Sequence, residues 1–227
     1  MRKVLALSLV FVLTLTLLVG CGQKPETPAE PKTPADQGQA EQPPAKKVKV
    51  GLVYDVGGKG DLSFNDSAYE GLKRAEKDFD LDIIDQEPSG GGEDREQLLR
   101  LLAEDGYDVI LGVGFMFTDH IAKVAEEFPE IKFGLIDGAV DGIDESSNIS
   151  CLLFKEHEGS FLAGAAAALK SQTGKVGFVG GMKSPLIERF EFGYLAGAKF
   201  INPDIETFSD YVGTTGEAFN DPVQGKE

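Results

Sequence analysis

The sequence predicts an α/β protein built as two lobes, each a parallel sheet with helices on both faces, the second of them incomplete. Three observations carry that expectation. Beyond residue 47, short runs rich in Val, Ile and Leu alternate with amphipathic stretches of about a dozen residues, the pattern of repeated strand–helix units. The first series runs through four strands, and a second of the same kind starts near residue 150. That second series stops after two strand–helix units and one more strand, and residues 216–227 add no closing element, so the sequence reads as truncated at its C-terminus.

The elements follow in order. Residues 48–54 (VKVGLVY) read as a buried strand. A helix is expected over 63–79, with Tyr69, Leu72, Ala75 and Phe79 on one face and Ser63 with Asp66 resembling a capping box. Residues 81–85 form a second strand, 93–104 a helix with Leu98, Leu101 and Leu102 inward, and 107–113 a third strand. A helix over 118–128 and a strand over 131–136 close the first lobe, and the right-handed crossover rule sets the four strands parallel. In the second lobe strands are expected over 150–154, 175–179 and 207–212, with helices over 158–169 and 187–200. The stretch Gly164-Ala165-Ala166-Ala167-Ala168 suits close helix packing.

Upstream of the folded part the composition changes. Arg2 and Lys3 precede a run from Val4 to Val19 broken only by Ser8, Thr14 and Thr16, the charge-then-apolar layout of a secretory signal. Leu18-Val19-Gly20-Cys21 resembles the bacterial lipobox, in which the Cys is lipidated and becomes the new N-terminus. A short transmembrane anchor is the competing reading, although the run is short for a spanning helix. Several acyl chains, palmitate among them, at about 0.8 kcal/mol per buried methylene make a firm anchor. Residues 22–47 are rich in Pro, Glu, Gln, Lys, Thr and Ala and lack aromatics, which reads as a disordered tether. The expected organisation is therefore a signal over 1–20, a tether over 21–47, an N-terminal lobe over 48–140 and a partial C-terminal lobe over 141–227.

Removing residues 1–20 takes away Arg2 and Lys3 and no acids, so the formal charge moves from −16 to −18. That balance argues against nucleic acid as a partner. Once Cys21 is used only Cys151 remains, which excludes an intrachain disulfide; it reads as a core thiol. His120 and His157 each stand alone on a helix, which argues against a metal site. Gly-x-Ser-x-Gly and phosphate-loop patterns are missing, and no cofactor is expected.

In an open parallel sheet ligands bind outside the carboxyl ends of the strands. Asp55 follows the first strand, Gly114-Phe115 the third and Asp137-Gly138 the fourth, so Asp55, Phe115 and Asp137 are expected at one sheet edge, with Phe64 and Asn65 at the entry of the first helix. Carboxylates, an amide and aromatic faces suit a small ligand with a flat ring and several hydroxyl or amine groups. Plainer roles stand beside these: Phe64 as a staple on its own helix, Asp66 as a cap partner, Asp137 as a turn residue and Asp55 as a cap for its loop.

Gly51-Leu52-Val53-Tyr54-Asp55, the run Gly60-Asp61-Leu62-Ser63-Phe64-Asn65-Asp66 and Gly71 resemble the opening signature of the basic membrane protein (PnrA-like) family, lipoprotein substrate-binding proteins of nucleoside ABC transporters. The similarity continues through Gly106-Tyr107-Asp108-Val109-Ile110, Gly114-Phe115, Ile136-Asp137, residues 158–164 and 174–181, Gly193-Tyr194-Leu195-Ala196-Gly197-Ala198 and Phe219-Asn220-Asp221-Pro222. The resemblance implies a type I periplasmic-binding-protein-like fold and no enzymatic activity. It implies two rings, by position Phe64 and Phe219, sandwiching a base, with Asp55, Asn65 and Asp137 on its polar edge. A later Gly-Val-Asp and a later Lys that hold the ribose in the family fall beyond Glu227. The implied partners are a nucleoside and an ABC permease, for a monomer anchored by lipid on the extracytoplasmic side of the cell membrane. A hinge is expected near residues 138–148. The alternatives are a sugar or small-signal receptor of the same fold, a surface nucleoside-processing enzyme, or a surface protein with a host or wall partner.

Overall fold

A computed structural model describes residues 46–226; the signal, Cys21 and nearly all of the tether lie outside the described residues. The first lobe is a five-stranded sheet in the order β2-β1-β3-β4-β5, formed by β1 (Lys49–Val53), β2 (Asp82–Gln86), β3 (Val109–Val113), β4 (Lys132–Ile136) and β5 (Ile149–Leu152). Every neighbouring pair runs parallel, as expected for strands joined through helices. Those helices are α1 (Phe64–Phe79), α2 (Arg95–Glu104) and α3 (Thr118–Glu127).

Alternation along β1 explains why both faces are covered. Val50, Leu52 and Tyr54 pack with Leu72 of α1 and Val113 in one core cluster. Val53 faces the other way into a cluster with Leu99 and Leu102 of α2, Phe117, Ile121 and Val124 of α3 and its N-terminal approach, and Phe133 and Leu135 of β4. Burying each such Leu or Phe contributes about 1.5–3 kcal/mol, and the two clusters clamp the sheet from opposite sides. Two expected core positions are not inward. Phe79 is 74% exposed at the end of α1, where Asp80 takes a left-handed conformation and stops the helix. Leu101 turns to solvent while Leu99 takes the core position.

Strand β5 was expected to open the second lobe but completes the first sheet beside β4. The chain therefore leaves the first sheet after Leu152, not within 138–148, and enters the second lobe at α4 (Glu156–Lys170). Cys151 packs on the α2/α3 side of the sheet, and its Sγ accepts from the Val140 amide at 3.4 Å, which ties down the β4–β5 connection.

The second lobe holds α4, β6 (Lys175–Met182), α5 (Pro185–Ile201) and β7 (Glu206–Gly213), with β6 and β7 parallel. The Ser184 side chain caps α5 by accepting from the Ile187 amide, and Pro185 occupies the first turn where its missing N–H costs nothing. Helices α4 and α5 pack backbone to backbone: a Cβ at Gly164 would collide with the Tyr194 carbonyl, and one at Gly197 with the Phe161 carbonyl. Within the small-residue stretch, Gly164 is thus the position that lets the two helices approach. A short 3-10 helix (Gly216–Asn220) after β7 returns toward the first lobe, where Gly216 lies against Met116.

Candidate functional site

The sheet reverses direction of growth at β1: β2 lies on one side of it and β3 on the other. Such a switch point opens a crevice beyond the strand ends. Asp55, Gly114-Phe115, Asp137 and Leu153 all follow strand termini on this edge.

The β1–α1 loop is held by its own acids rather than by the expected capping box. The Ser63 side chain makes no cap bond. Instead Asp61 accepts from the amides of Ser63 (2.9 Å), Asn65 (2.9 Å) and Asp66 (3.1 Å), and Asp66 accepts from Gly60 (2.7 Å) and Leu62 (3.0 Å). Partial burial opposes the charge on Asp61, but these amides outweigh it and hold its carboxyl below the ordinary value. Asn65, 2% exposed, accepts from the Asp55 amide at 2.9 Å and donates to Asp61 at 3.2 Å. Its amide is therefore engaged in fixing the loop and the position of Asp55.

Asp55 meets a partner that the sequence did not reveal. Arg95, at the start of α2, approaches Asp55 Oδ1 at 3.2 Å with side chains only 7% and 14% exposed. Its other terminal nitrogen donates to the carbonyls of Gly91 (3.1 Å) and Gly92 (3.0 Å), and its guanidinium lies 5.5 Å from the Phe117 ring centre. Burial raises the Asp55 carboxyl; the Val56 amide and Arg95 oppose it and the rise remains. Asp55 Oδ2 faces Gly114, whose φ of 100° and lack of Cβ let the carboxylate fit.

Asp137 sits beyond β4 with φ 62°, a left-handed conformation that short polar residues tolerate, and its amide donates to Leu152 at 2.9 Å. It lines a cavity of about 240 Å³ whose walls come from both lobes: Phe115, Thr118 and Asp137 on one side, Ser184, Leu186 and Arg189 on the other. Burial, then the neighbouring Glu156 carboxylate, push the Asp137 carboxyl up to about 6; Arg189 pulls the other way, and Asp55 adds to the rise. Asp55 and Asp137 are thus on the same side of the molecule and close enough to sense each other.

The aromatic residues divide. Phe219 meets Phe115 edge-on, with ring centres 6.2 Å apart and planes at 75°. Phe219 also lies over Gly181 in a second cavity of about 340 Å³, formed by residues 179–181, Val212 and residues 218–222. Phe64 is half-buried and packs against the β1/α1 core cluster, as its staple reading anticipates, and it lines neither of these two cavities. The structure therefore brings Asp55, Asn65, Phe115, Asp137 and Phe219 to one neighbourhood and sets Phe64 at its margin. Arg95, Glu156, Ser184 and Arg189 were not anticipated. Arg95 sits in Glu93-Asp94-Arg95-Glu96 and Glu156 in Lys155-Glu156-His157-Glu158, charge runs that read as solvated helix starts.

Among the described residues no group of His, Cys, Asp or Glu is arranged to hold a metal ion, and no helix is long and apolar enough to cross a membrane.

Comparison with known proteins adds to this geometry. The family model described as ABC transporter substrate-binding protein PnrA-like (Bmp) matches residues 47–225. The chain is 31% identical to the ABC transporter nucleoside-binding protein BmpA of Lactococcus lactis, over 99% of this chain and 60% of that protein. It is 37% identical to an uncharacterized lipoprotein of Pyrococcus abyssi, over 96% of this chain and 52% of that protein. A crystal structure of ABC transporter system solute-binding proteins from Aeropyrum pernix matches with a TM-score of 0.66 and 37% identity, covering 73% of this chain and 48% of the other. The chain spans about half to three fifths of the length of the curated relatives it matches.

Proposed function

The chain belongs to the PnrA-like family of ABC transporter substrate-binding proteins, and from that premise we propose that it binds a nucleoside, a purine nucleoside by preference, in the cleft between its lobes and delivers it to an ABC permease. The family is one of binding proteins and not of enzymes. The observation that carries the reading is the two-walled cavity at Asp137, where a carboxyl group stands beside the Phe115 ring at the rim of the sheet. Phe219 from the second lobe meets the Phe115 ring edge-on, so aromatic surface at this rim comes from both lobes. Base–aromatic stacking is worth about 1–3 kcal/mol per base. Asp55, steadied by Arg95 and Asn65, supplies the second acceptor. The nucleoside-binding relative in Lactococcus lactis supports the choice of ligand.

In this reading Cys21 carries the lipid anchor, residues 22–47 are the tether, and the lobes face the extracytoplasmic side of the membrane. The lipobox-like Leu18-Val19-Gly20-Cys21 and the lipoprotein relative in Pyrococcus abyssi support it.

The test is a thermal-shift and calorimetric titration of the protein with inosine, guanosine, adenosine, uridine, free ribose and a hexose. A rise in Tm with purine nucleosides and none with free ribose is the expected result. A folded protein that responds to no nucleoside ends the reading, and a response to the hexose alone replaces it with a sugar receptor.

A further inference from the structure

The cavity at Asp137, about 240 Å³, is smaller than the roughly 300–1,000 Å³ of pockets that enclose a whole drug-sized ligand, so it suits one ring system rather than a complete nucleoside. Among the described residues that line it, Arg189 is the one cation and Asp137 the one anion, and they come from different lobes. Two other polar side chains on its wall are spent within their own elements. Thr118 Oγ1 donates to the Phe115 carbonyl at 2.6 Å, and Ser184 Oγ accepts from the Ile187 amide at 3.3 Å. Asp137 Oδ1, by contrast, is buried and has no partner. The Arg189 side chain is 55% exposed, and its Nη1 stands 3.6 Å from Oε2 of Glu156, whose side chain is 2% exposed. An ion pair at that distance anchors the guanidinium from beneath without using its hydrogen bonds. An arginine has five N–H donors in a planar fork and no acceptor. With Glu156 below it and Asp137 in the same cavity, two carboxyl groups accompany one cation, which disfavours an anionic ligand group such as phosphate. The fork is left to neutral acceptors.

Resting on the nucleoside reading, we infer that Arg189 is a specificity-determining residue of the cleft, donating two hydrogen bonds to the adjacent carbonyl oxygen and ring nitrogen of an oxopurine base. The planar fork matches two acceptors that lie side by side. Hypoxanthine and guanine present such a pair at O6 and N7. Adenine carries an amino group in place of O6, so a donor there meets a donor. Asp137, from the first lobe, accepts from hydrogen-bond donors elsewhere on the ligand. A well-made arginine–base pair discriminates against the wrong base by about 5- to 150-fold. Water reaches about half of the Arg189 side chain and competes for its donors, so the lower part of that range is expected, about tenfold in favour of inosine over adenosine.

The probes are inosine, adenosine, 7-deazainosine and inosine 5′-monophosphate, each titrated calorimetrically into the full chain of wild type and of Arg189→Gln. Wild type should bind inosine about tenfold more tightly than adenosine. It should also bind inosine more tightly than 7-deazainosine, in which a C–H replaces the N7 acceptor. Glutamine offers one donor and one acceptor, the pairing that suits adenine N6 and N7. Arg189→Gln should therefore lose inosine affinity while keeping adenosine, closing or reversing the gap, and its preference for inosine over 7-deazainosine should shrink. The comparison of ligands on wild type needs no variant, so it decides the matter even where Arg189→Gln fails to fold. Equal affinity of wild type for inosine and adenosine overturns this inference and leaves the nucleoside reading standing. So does equal affinity for inosine and 7-deazainosine, or an Arg189→Gln gap as wide as that of wild type. Tighter binding of the monophosphate than of inosine, lost in Arg189→Gln, overturns it by assigning the guanidinium to phosphate. No binding of any of the four probes overturns both.

Discussion

Replacing Arg95 by Met tests how the sheet edge is held together. The substitution keeps an apolar stem against the Phe117 ring and deletes the charge that faces Asp55. It also removes the donor to the Gly91 and Gly92 carbonyls. Breaking a buried pair by removing one partner costs about 3–5 kcal/mol. Asp55 keeps its bond from the Val56 amide and remains partly exposed, which places the expected loss at the lower end, about 3 kcal/mol. For a domain of this size 1 kcal/mol moves Tm by about 2–4 °C, so a fall of roughly 6–12 °C is expected in a calorimetric melt at pH 7. The sign of the pH dependence follows from the carboxyl group. Burial already raises Asp55 in the folded state, and loss of Arg95 raises it further. The folded form then binds more protons than the unfolded one. Stability linked to a raised carboxyl is therefore fully present below the unfolded value of about 3.9 and is lost as pH rises through the folded value. The deficit of Arg95→Met should be largest at neutral pH and shrink on acidification. A deficit under about 1 kcal/mol at pH 7, or one that stays constant down to pH 4, refutes the assignment of Arg95 as the partner that steadies Asp55.

Three further outcomes are expected. Gly114→Ala should cost about 1–3 kcal/mol in urea unfolding, because the residue would hold a positive φ and drive its Cβ into the Asp55 carboxylate; wild-type stability would contradict that geometry. Phe219→Ala should weaken inosine affinity by about 1–3 kcal/mol with a smaller fall in Tm than Phe64→Ala, since Phe219 is 39% exposed whereas the Phe64 ring packs on the β1/α1 core. If Phe219→Ala leaves the calorimetric Kd unchanged, the ring takes no part in binding. Cys21→Ser should abolish incorporation of an alkyne-tagged palmitate and release the protein from the membrane fraction; continued labelling would place the anchor elsewhere.

The period of the apolar residues was sufficient to read the strand–helix order, because a parallel sheet buried on both faces needs short Val- and Ile-rich runs separated by amphipathic helices. The same pattern placed Asp55, Phe115 and Asp137 at strand ends, and there the chain puts them. Local chemistry was less legible. Ser63 and Asp66 have the spacing of a capping box, yet Asp61 does the capping, since three amides converge on whichever carboxylate the loop brings near. Strand β5 reads from sequence as the start of a second lobe, yet its pairing with β4 makes it the end of the first sheet, because strand propensity carries no information about the neighbour.

By itself, then, the sequence determined the strand–helix alternation, the acidic surface, the lipobox-like segment and the family signature, all of which depend on residue type and local spacing. Tertiary structure alone decided that Arg95 meets Asp55 across 40 residues and that Arg189 from one lobe lines the same cavity as Asp137 from the other. A charged residue in a charged run looks solvated until folding strips the water from it. Pairing between groups distant along the chain is set by how the elements stack, and no local pattern encodes it.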